Sequence, residues 1–372
     1  MAREFDVVVV GGGLVGGAIA YGLARLGRRT ALLDEGDIAY RAARGNFGLV
    51  WVQGKGLGLA PYGNWTQQAA RLAPQLARLL RDETGIDVAL EQPGGFHVCL
   101  SEAEMDNRVT SLTRLLEQPG FERYAVEVLD RAALAARLPG IGPGVVGATY
   151  CPLDGHLNPL RLLRALHAAF VRRGGEYLPL HKAQRIERRN GRFVVAAGAG
   201  EIGAAQVVLT AGLGNAVLGP PLGLRALVRP QRGQVIVLER VRRFLAYPMA
   251  TIRQTDEGTV LIGDSQDESG FNESLSTSIS ATQAERALRI FPGLRDVRVN
   301  RTWAALRVLS PDGFPIYEQS ASHPGAFVVT CHSGVTLAGA HALELAPRIA
   351  AGELGPDMQP FSSERLNVQE AA

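Results

Sequence analysis

Phe5-Asp6-Val7-Val8-Val9-Val10-Gly11-Gly12-Gly13-Leu14-Val15-Gly16 decides the reading of this chain: an apolar strand, a glycine turn and a helix start follow one another without a spacer. In such a G-x-G-x-x-G run Gly11 permits the tight turn, Gly13 lets backbone approach a pyrophosphate, and Gly16 lets the helix pack closely on the strand. The helix start, with Leu14 and Val15, offers unpaired N–H groups to the anion. In a chain with 44 glycines the motif needs support from its neighbours. A second strand, Arg29 to Leu33, supplies it by ending on Asp34 and Glu35, about twenty residues on, where an acid binds a ribose hydroxyl. Asp34 closes the apolar run and is the stronger of the two. No arginine takes its place, which disfavours a 2′-phosphate. Strand, glycines, helix and acid together call for NAD or the adenosine half of FAD.

The 372 residues suffice for two domains, and 46% apolar with 20% charged residues describes a globular protein. A net charge of +3, spread along the chain, gives no basis for nucleic acid or an anionic membrane as partner. Val7 to Ala24 is uncharged and nearly long enough to span a membrane, but six glycines interrupt it and Glu4 and Asp6 precede it, so neither a span nor a signal peptide is expected. The expected location is the cytoplasm. Cys99, Cys151 and Cys331 form no C-x-x-C pair, so no metal site, iron–sulfur site or disulfide framework is expected within this chain.

A glycine-rich loop, 45–58, precedes a helical pattern from Tyr62 to Thr84. Val88 to Leu90 and Phe96 to Leu100 flank Gln92-Pro93-Gly94-Gly95 and read as a hairpin. Ser101 and Glu104 form a capping box, and Asn158-Pro159 is a helix start running to about Arg173. Strand pattern returns at Gln206 to Thr210, which runs into Ala211-Gly212, and from Arg225 to Gly263. A helix is expected at Ala281 to Phe291, and a strand at Ala326 to Thr330 precedes a last helix. The fold class is therefore α/β: a Rossmann-like nucleotide domain from 1–85, 148–222 and 300–372, interleaved with a mainly antiparallel β substrate domain from 86–147 and 223–299. Interleaving of this kind favours a flavin over a nicotinamide.

The glycine motif, Asp34, Thr210-Ala211-Gly212, Trp303-Ala304-Ala305-Leu306-Arg307 with Pro311-Asp312-Gly313, and His332-Ser333-Gly334-Val335-Thr336-Leu337 occur in the order seen in the FAD-dependent oxidoreductases of the D-amino acid oxidase group, with glycine and sarcosine oxidases. The chain resembles that group over nearly its whole length. Its Arg41 to Gly56 stretch is most similar to the β subunits of opine oxidases and D-hydroxyproline dehydrogenases. The resemblance implies FAD, with Arg44, Gly45, Asn46, Phe47, Gly48 and Leu49 along the pyrophosphate and ring, and Gly334, Val335, Thr336 and Leu337 at the pyrimidine edge. It implies backbone contact to adenine at Gln184, and Ala211 and Gly212 near the cofactor. Two departures stand out: Ala43 replaces a small hydroxyl residue, and Thr251 falls where the group has a substrate-side tyrosine.

By the same resemblance Arg307 clamps a substrate carboxylate and borders the flavin, as a planar guanidinium fork suits that anion. His332 and Trp51 are candidate pocket residues, each with core packing as the plain alternative, and Lys55 is either a flavin-tuning cation or a loop lysine in solvent. The implied reaction is dehydrogenation of a carboxylate-bearing amine by hydride transfer to flavin N5, giving an imine that water hydrolyses; no side chain is assigned as catalytic acid or base. The substrate is an opine, D-hydroxyproline or a similar amino or imino acid. The implied setting is a multisubunit dehydrogenase whose partner carries an iron–sulfur cluster, with a second flavin as a further option. The rivals are a self-sufficient amine oxidase yielding hydrogen peroxide, a flavin-carrying electron-relay subunit, and an NAD-dependent dehydrogenase.

Overall fold

A computed structural model describes residues 3–36, 42–198 and 200–367. Its first strand, Arg3–Val10, lies between two parallel neighbours, Gly200–Leu209 and Thr30–Leu33, in an eight-stranded sheet. Glu176–Leu178 continues the sheet beyond Thr30–Leu33, and Ala326–Thr330 beyond Gly200–Leu209, both parallel. A parallel strand buried on both faces must be apolar throughout, and Val7 to Val10 and Leu32 and Leu33 are at most 3% exposed. The helices Leu14–Arg25 and Pro159–Arg172 pack together on one face. Gly22 lies where a side chain would overlap the Ala342 carbonyl, so Leu14–Arg25 rests directly on the π turn His341–Leu345.

The second sheet is four-stranded, with Arg229–Arg240 paired antiparallel to both Val299–Leu309 and Thr259–Ile262. Val299–Leu309 thus belongs to this sheet and runs across the boundary expected at 299/300. A third sheet places Gly147–Cys151 between Gly95–Cys99 and Glu127–Asp130, so the start of the 148–222 segment pairs with the intervening one.

The hairpin across Gln92 to Gly95 does not form. Gly95–Cys99 pairs with Gly147–Cys151, Val88 to Leu90 are not strand, and Glu91 bridges His156. Ala89 is held at φ +52, which breaks an extended run. The two caps form as expected: Ser101 Oγ accepts from Glu104 N at 3.2 Å, and Asn158 Oδ1 accepts from Leu160 N and Arg161 N at 3.1 Å. The return bond of the capping box goes one residue back, from Leu100 N to Glu104 Oε2. No helix among the described residues is long and apolar enough to cross a membrane.

Two buried histidines tie stability to pH. Burial pushes His341 down to about 3, and burial with the Arg253 and Arg243 guanidiniums does the same to His156. Their unfolded values lie near 6.5, so between the two values only the unfolded chain binds the proton, and stability falls as pH falls. Each contributes about 1.4 kcal/mol of loss per pH unit below roughly pH 6. Asp154, raised by burial to about 7, acts in the opposite sense over pH 4 to 7. Denaturant unfolding across pH 7 to 4 should therefore show a shallower acid loss in His341→Gln than in the parent, by one histidine's slope.

Candidate functional site

The glycine motif closes around Thr210, two hundred positions away. A side chain on Gly16 would overlap the Gly11 carbonyl and come within 2.5 Å of Thr210 Oγ1, and one on Gly11, at φ +108, within 2.5 Å of the Thr210 carbonyl. Thr210 Oγ1 donates to Val10 O and Gly11 O, both at 2.9 Å. Opposite, Asp34 Oδ2 accepts from Gly12 N at 2.7 Å, and Oδ1 from Gly36 N at 3.0 Å. Asp34 therefore orders the turn itself. Glu35 points outward and pairs with Lys182 at 3.2 Å. The helix Leu14–Arg25 has no side-chain cap and no acid in its first turn, so its N-terminal N–H groups remain for an external anion.

From Gly45 to Gln53 the chain is fastened to both sides of the molecule. Trp303 Nε1 donates to Gly45 O at 3.2 Å, and Arg253 Nε donates to Phe47 O. Thr336 Oγ1 accepts from Trp51 N at 3.1 Å and donates to Leu49 O at 3.2 Å. Asp154, fully buried, accepts from Val52 N at 2.6 Å and from Gln53 Nε2 at 2.6 Å. Gly48, at φ +91, sits against the Leu157 carbonyl, where no side chain fits.

This segment walls a cavity of about 390 Å³ whose other walls are the Cys331–Thr336 loop, the Gly233–Val235 and Ala305–Val308 strands, and Arg108. Arg307 lies across Gly233, where a Cβ would meet the guanidinium carbon at 2.6 Å. Its Nη1 donates to Ser265 O at 2.6 Å. Burial lowers the Arg307 pKa, and Asp264 opposes that shift. Asp264 opens onto this cavity and the next, and takes φ +73, strained for a residue with a side chain. Enclosure by protein pushes its carboxyl up, against Arg307, Arg286 and Lys55. His332 is pushed down to about 3 by burial, then by Lys55 and Arg307, and is neutral near pH 7.

Gly45, Asn46, Phe47, Leu49, Trp51, Arg307, His332, Val335 and Thr336 thus come together around one space. Others do not. Thr251 lines a neighbouring cavity that shares His97, Ala250, Asp264 and Gln266 with the first. Arg44 faces a larger cleft beside His167 and Tyr177. Gln184 is exposed on Ala183–Arg189, at a bulge opposite Ala196 and Ala197. Ala211 N is taken by Asn215 Oδ1 at 2.8 Å, and Gly212 packs toward Val308. Leu337 is wholly buried and its N–H bonds Ser333 O, so it belongs to the core, not to the cavity wall. Gly334 is buried against Leu14 and Val15. Arg41 lies outside the described residues. Arg108, His97, Asp264 and Gln266 line the cavity without having been singled out in the sequence.

The family described as DAO, FAD dependent oxidoreductase, matches residues 6–348. The chain belongs to this family. It is an FAD-dependent oxidoreductase, and NAD is set aside. An opine oxidase subunit of Agrobacterium tumefaciens (strain Ach5) is 46% identical over 99% of both chains, and its counterpart from Rhizobium meliloti 44% over the same shares. The fold matches the glycine oxidase of Geobacillus kaustophilus with TM-score 0.88, at 24% identity, over 97% of this chain and 98% of that one. The glycine cradle and the uncapped helix start suit the FAD pyrophosphate.

Because a Cβ at Gly16 overlaps backbone, Gly16→Ala should cost about 2–3 kcal/mol and yield colourless protein. Gly17→Ala, whose Cβ would find its nearest neighbour at 3.4 Å, should melt like the parent and stay yellow. Thermal melts and visible absorbance check both.

Proposed function

We propose that this chain is the flavin subunit of a multisubunit dehydrogenase that oxidises a carboxylate-bearing primary or secondary amine, such as an opine, D-hydroxyproline or a similar D-amino or imino acid. The observation that carries the reading is Arg307. It is fixed on a strand of the four-stranded sheet and held by carbonyl oxygens of Arg232 and Ser265, with Asp264 as the one acid lining the same cavity. A part-buried guanidinium so placed calls for an anion, and a carboxylate matches its fork.

Bound FAD supplies the two-electron acceptor. Arg307 anchors the substrate carboxylate and so fixes which carbon faces the cofactor, a positioning effect. Asp264 is the one acid among the residues lining the cavity, and burial raises its carboxyl against the opposing Arg307. His332, neutral, shapes the wall and exchanges a weak 3.4 Å contact with Ser333 Oγ. Supporting partner subunits are the names of the two relatives above, each a subunit of an opine oxidase. An iron–sulfur cluster in the complex would belong to a partner. The glycine oxidase of Pseudomonas aeruginosa, 30% identical over 96% of this chain, favours a second reading, a stand-alone oxidase.

With substrate, the purified yellow protein should reduce an artificial dye and form little hydrogen peroxide; rapid peroxide formation selects the oxidase, and dye reduction by partners alone an electron relay. Arg307→Leu should lose about 100-fold or more in kcat/KM while keeping its flavin absorbance. Unchanged kinetics would refute the assignment.

A further inference from the structure

Asp264 stands where local backbone preference would not put it. It takes φ +73, and it is the one acid lining either of the two cavities that join at His97, Ala250 and Gln266. A residue with a Cβ keeps such a backbone only where its surroundings impose it. Gly263 N donates to Thr251 O at 2.9 Å, and Gly263 packs so closely on Phe47 that a Cβ would meet the ring at 2.9 Å. Ser265 Oγ accepts from Gln234 N at 2.7 Å, and Ser265 O accepts from Arg307 Nη1 at 2.6 Å. Asp264 is thus clamped between the Phe47 loop, expected to run beside the flavin, and the Arg307 guanidinium.

Arg307 acts on this carboxylate from the strand Val299–Leu309, Arg286 from the helix Thr277–Ile290, and Lys55 from the chain beyond Gln53, each through charge and none through a hydrogen bond. Arg286 is already paired with Glu104 at 3.0 Å. His97 and His332 are neutral near pH 7, held down by burial at about 4 and about 3. Arg108 and Cys331 complete the titratable lining, the thiol pushed up to about 12 by burial. The Asp264 carboxylate therefore has no hydrogen-bond donor among the described residues, although protein surrounds it and the cavity leaves it reachable. An acceptor in that setting wants a donor, and an ammonium supplies one with charge. Burial raises the Asp264 pKa, which makes the carboxylate a better proton acceptor.

An amine bearing a carboxylate arrives near neutral pH as a zwitterion, and loss of hydride from the carbon beside nitrogen needs the nitrogen lone pair. One proton has to leave the ammonium first. Arg307 and Asp264, linked through Ser265, offer the two charges that complement such a molecule. We infer that Asp264 is a catalytic base that binds the substrate ammonium and takes its proton before the C–H bond breaks, a role that rests on the amine dehydrogenase reading and deepens it. An N–H bond breaks and an O–H bond forms on the carboxyl. The freed lone pair closes the C=N bond as the hydrogen on carbon leaves with its electron pair to bound FAD. The second cavity, open at exposed Ser278 and Thr282, gives the proton on Asp264 a way to solvent.

The test uses the FAD-loaded protein without oxygen, with N-methylglycine, D-proline and D-hydroxyproline as probes, and follows flavin bleaching from about pH 6 to about pH 10. Asparagine tolerates positive φ and cannot take the proton, so Asp264→Asn removes the base and keeps the backbone. The parent should hold a plateau in kcat/KM up to the amine's own pKa. Asp264→Asn should lose about 100-fold near neutral pH and regain it steadily up to that pKa, where the two proteins converge to within about 10-fold. Calorimetric binding reads the contact without turnover: α-aminoisobutyrate, which has no hydrogen on the reacting carbon, against pivalate, its shape match without the amine. The parent should bind the amino acid about 10-fold more tightly, and Asp264→Asn should abolish that preference. Parallel pH profiles, or a preference that survives the substitution, overturn the inference and leave the amine reading standing. Bleaching by none of the three probes overturns the amine reading, and the binding pair then decides whether Asp264 receives an ammonium: a preference lost in Asp264→Asn supports the contact, equal binding refutes it. If Asp264→Asn fails to fold, Asp264→Gly, which favours the same φ, takes its place, and equal binding of the pair by the parent still refutes the contact.

Discussion

Everything in this molecule hangs on two missing side chains. With Gly11 and Gly16 bare, the first helix descends onto the turn that precedes it, and the end of the Gly200–Leu209 strand closes over both through Thr210. Three pieces of chain meet there at backbone contact distance. That meeting sets the direction of the first helix, and through Gly22 the position of the last one. It also brings Leu14 and Val15 under Gly334, so the loop carrying His332 and Thr336 takes its place from the same junction. A nucleotide motif is in this sense a packing motif first.

The cavity depends on a second kind of junction, between sheets. Arg307 projects from Val299–Leu309, paired to Arg229–Arg240, and Gly233 on that neighbour gives the guanidinium its floor. Trp303, four residues before Arg307 on the same strand, reaches Gly45. One strand thus carries the part-buried Arg307 guanidinium and also grips the loop expected to run beside the flavin.

Local rules made much of the fold legible. The Val7 to Val10 run, the glycine spacing and Asp34 specify the first β-α-β unit, and the caps at Ser101 and Asn158 come from residue types with a direct bond to make. What stayed hidden was long-range. Gly95–Cys99 finds its partner over fifty residues on, and a Pro-Gly-Gly sequence between two apolar runs carries no hint that Ala89 is held at positive φ. The boundary expected at 299/300 cuts a strand, Val299–Leu309, that pairing and not composition assigns to the four-stranded sheet. Arg307 and His332, singled out through family resemblance, both line the cavity. Arg108 was not singled out, because an arginine on a largely exposed helix reads as a solvated charge until Gln53 and Thr149 are seen to hold it. Asp264 likewise reads as a residue ending a strand, and only the fold turns it into the cavity.

The fastening of Gly45 to Gln53 bears on how a cofactor is received. Its carbonyls and amides are tied in turn to Trp303, Arg253, Thr336 and Asp154, anchors drawn from sheet strands and loops far apart in the chain. A glycine-rich segment left loose would surrender conformational freedom on each encounter with a ligand, at about 1–2 kcal/mol of ordering per residue. Here that ordering belongs to folding. The segment is a rigid wall before any ligand arrives, and binding energy is left for selecting that ligand rather than for arranging the wall.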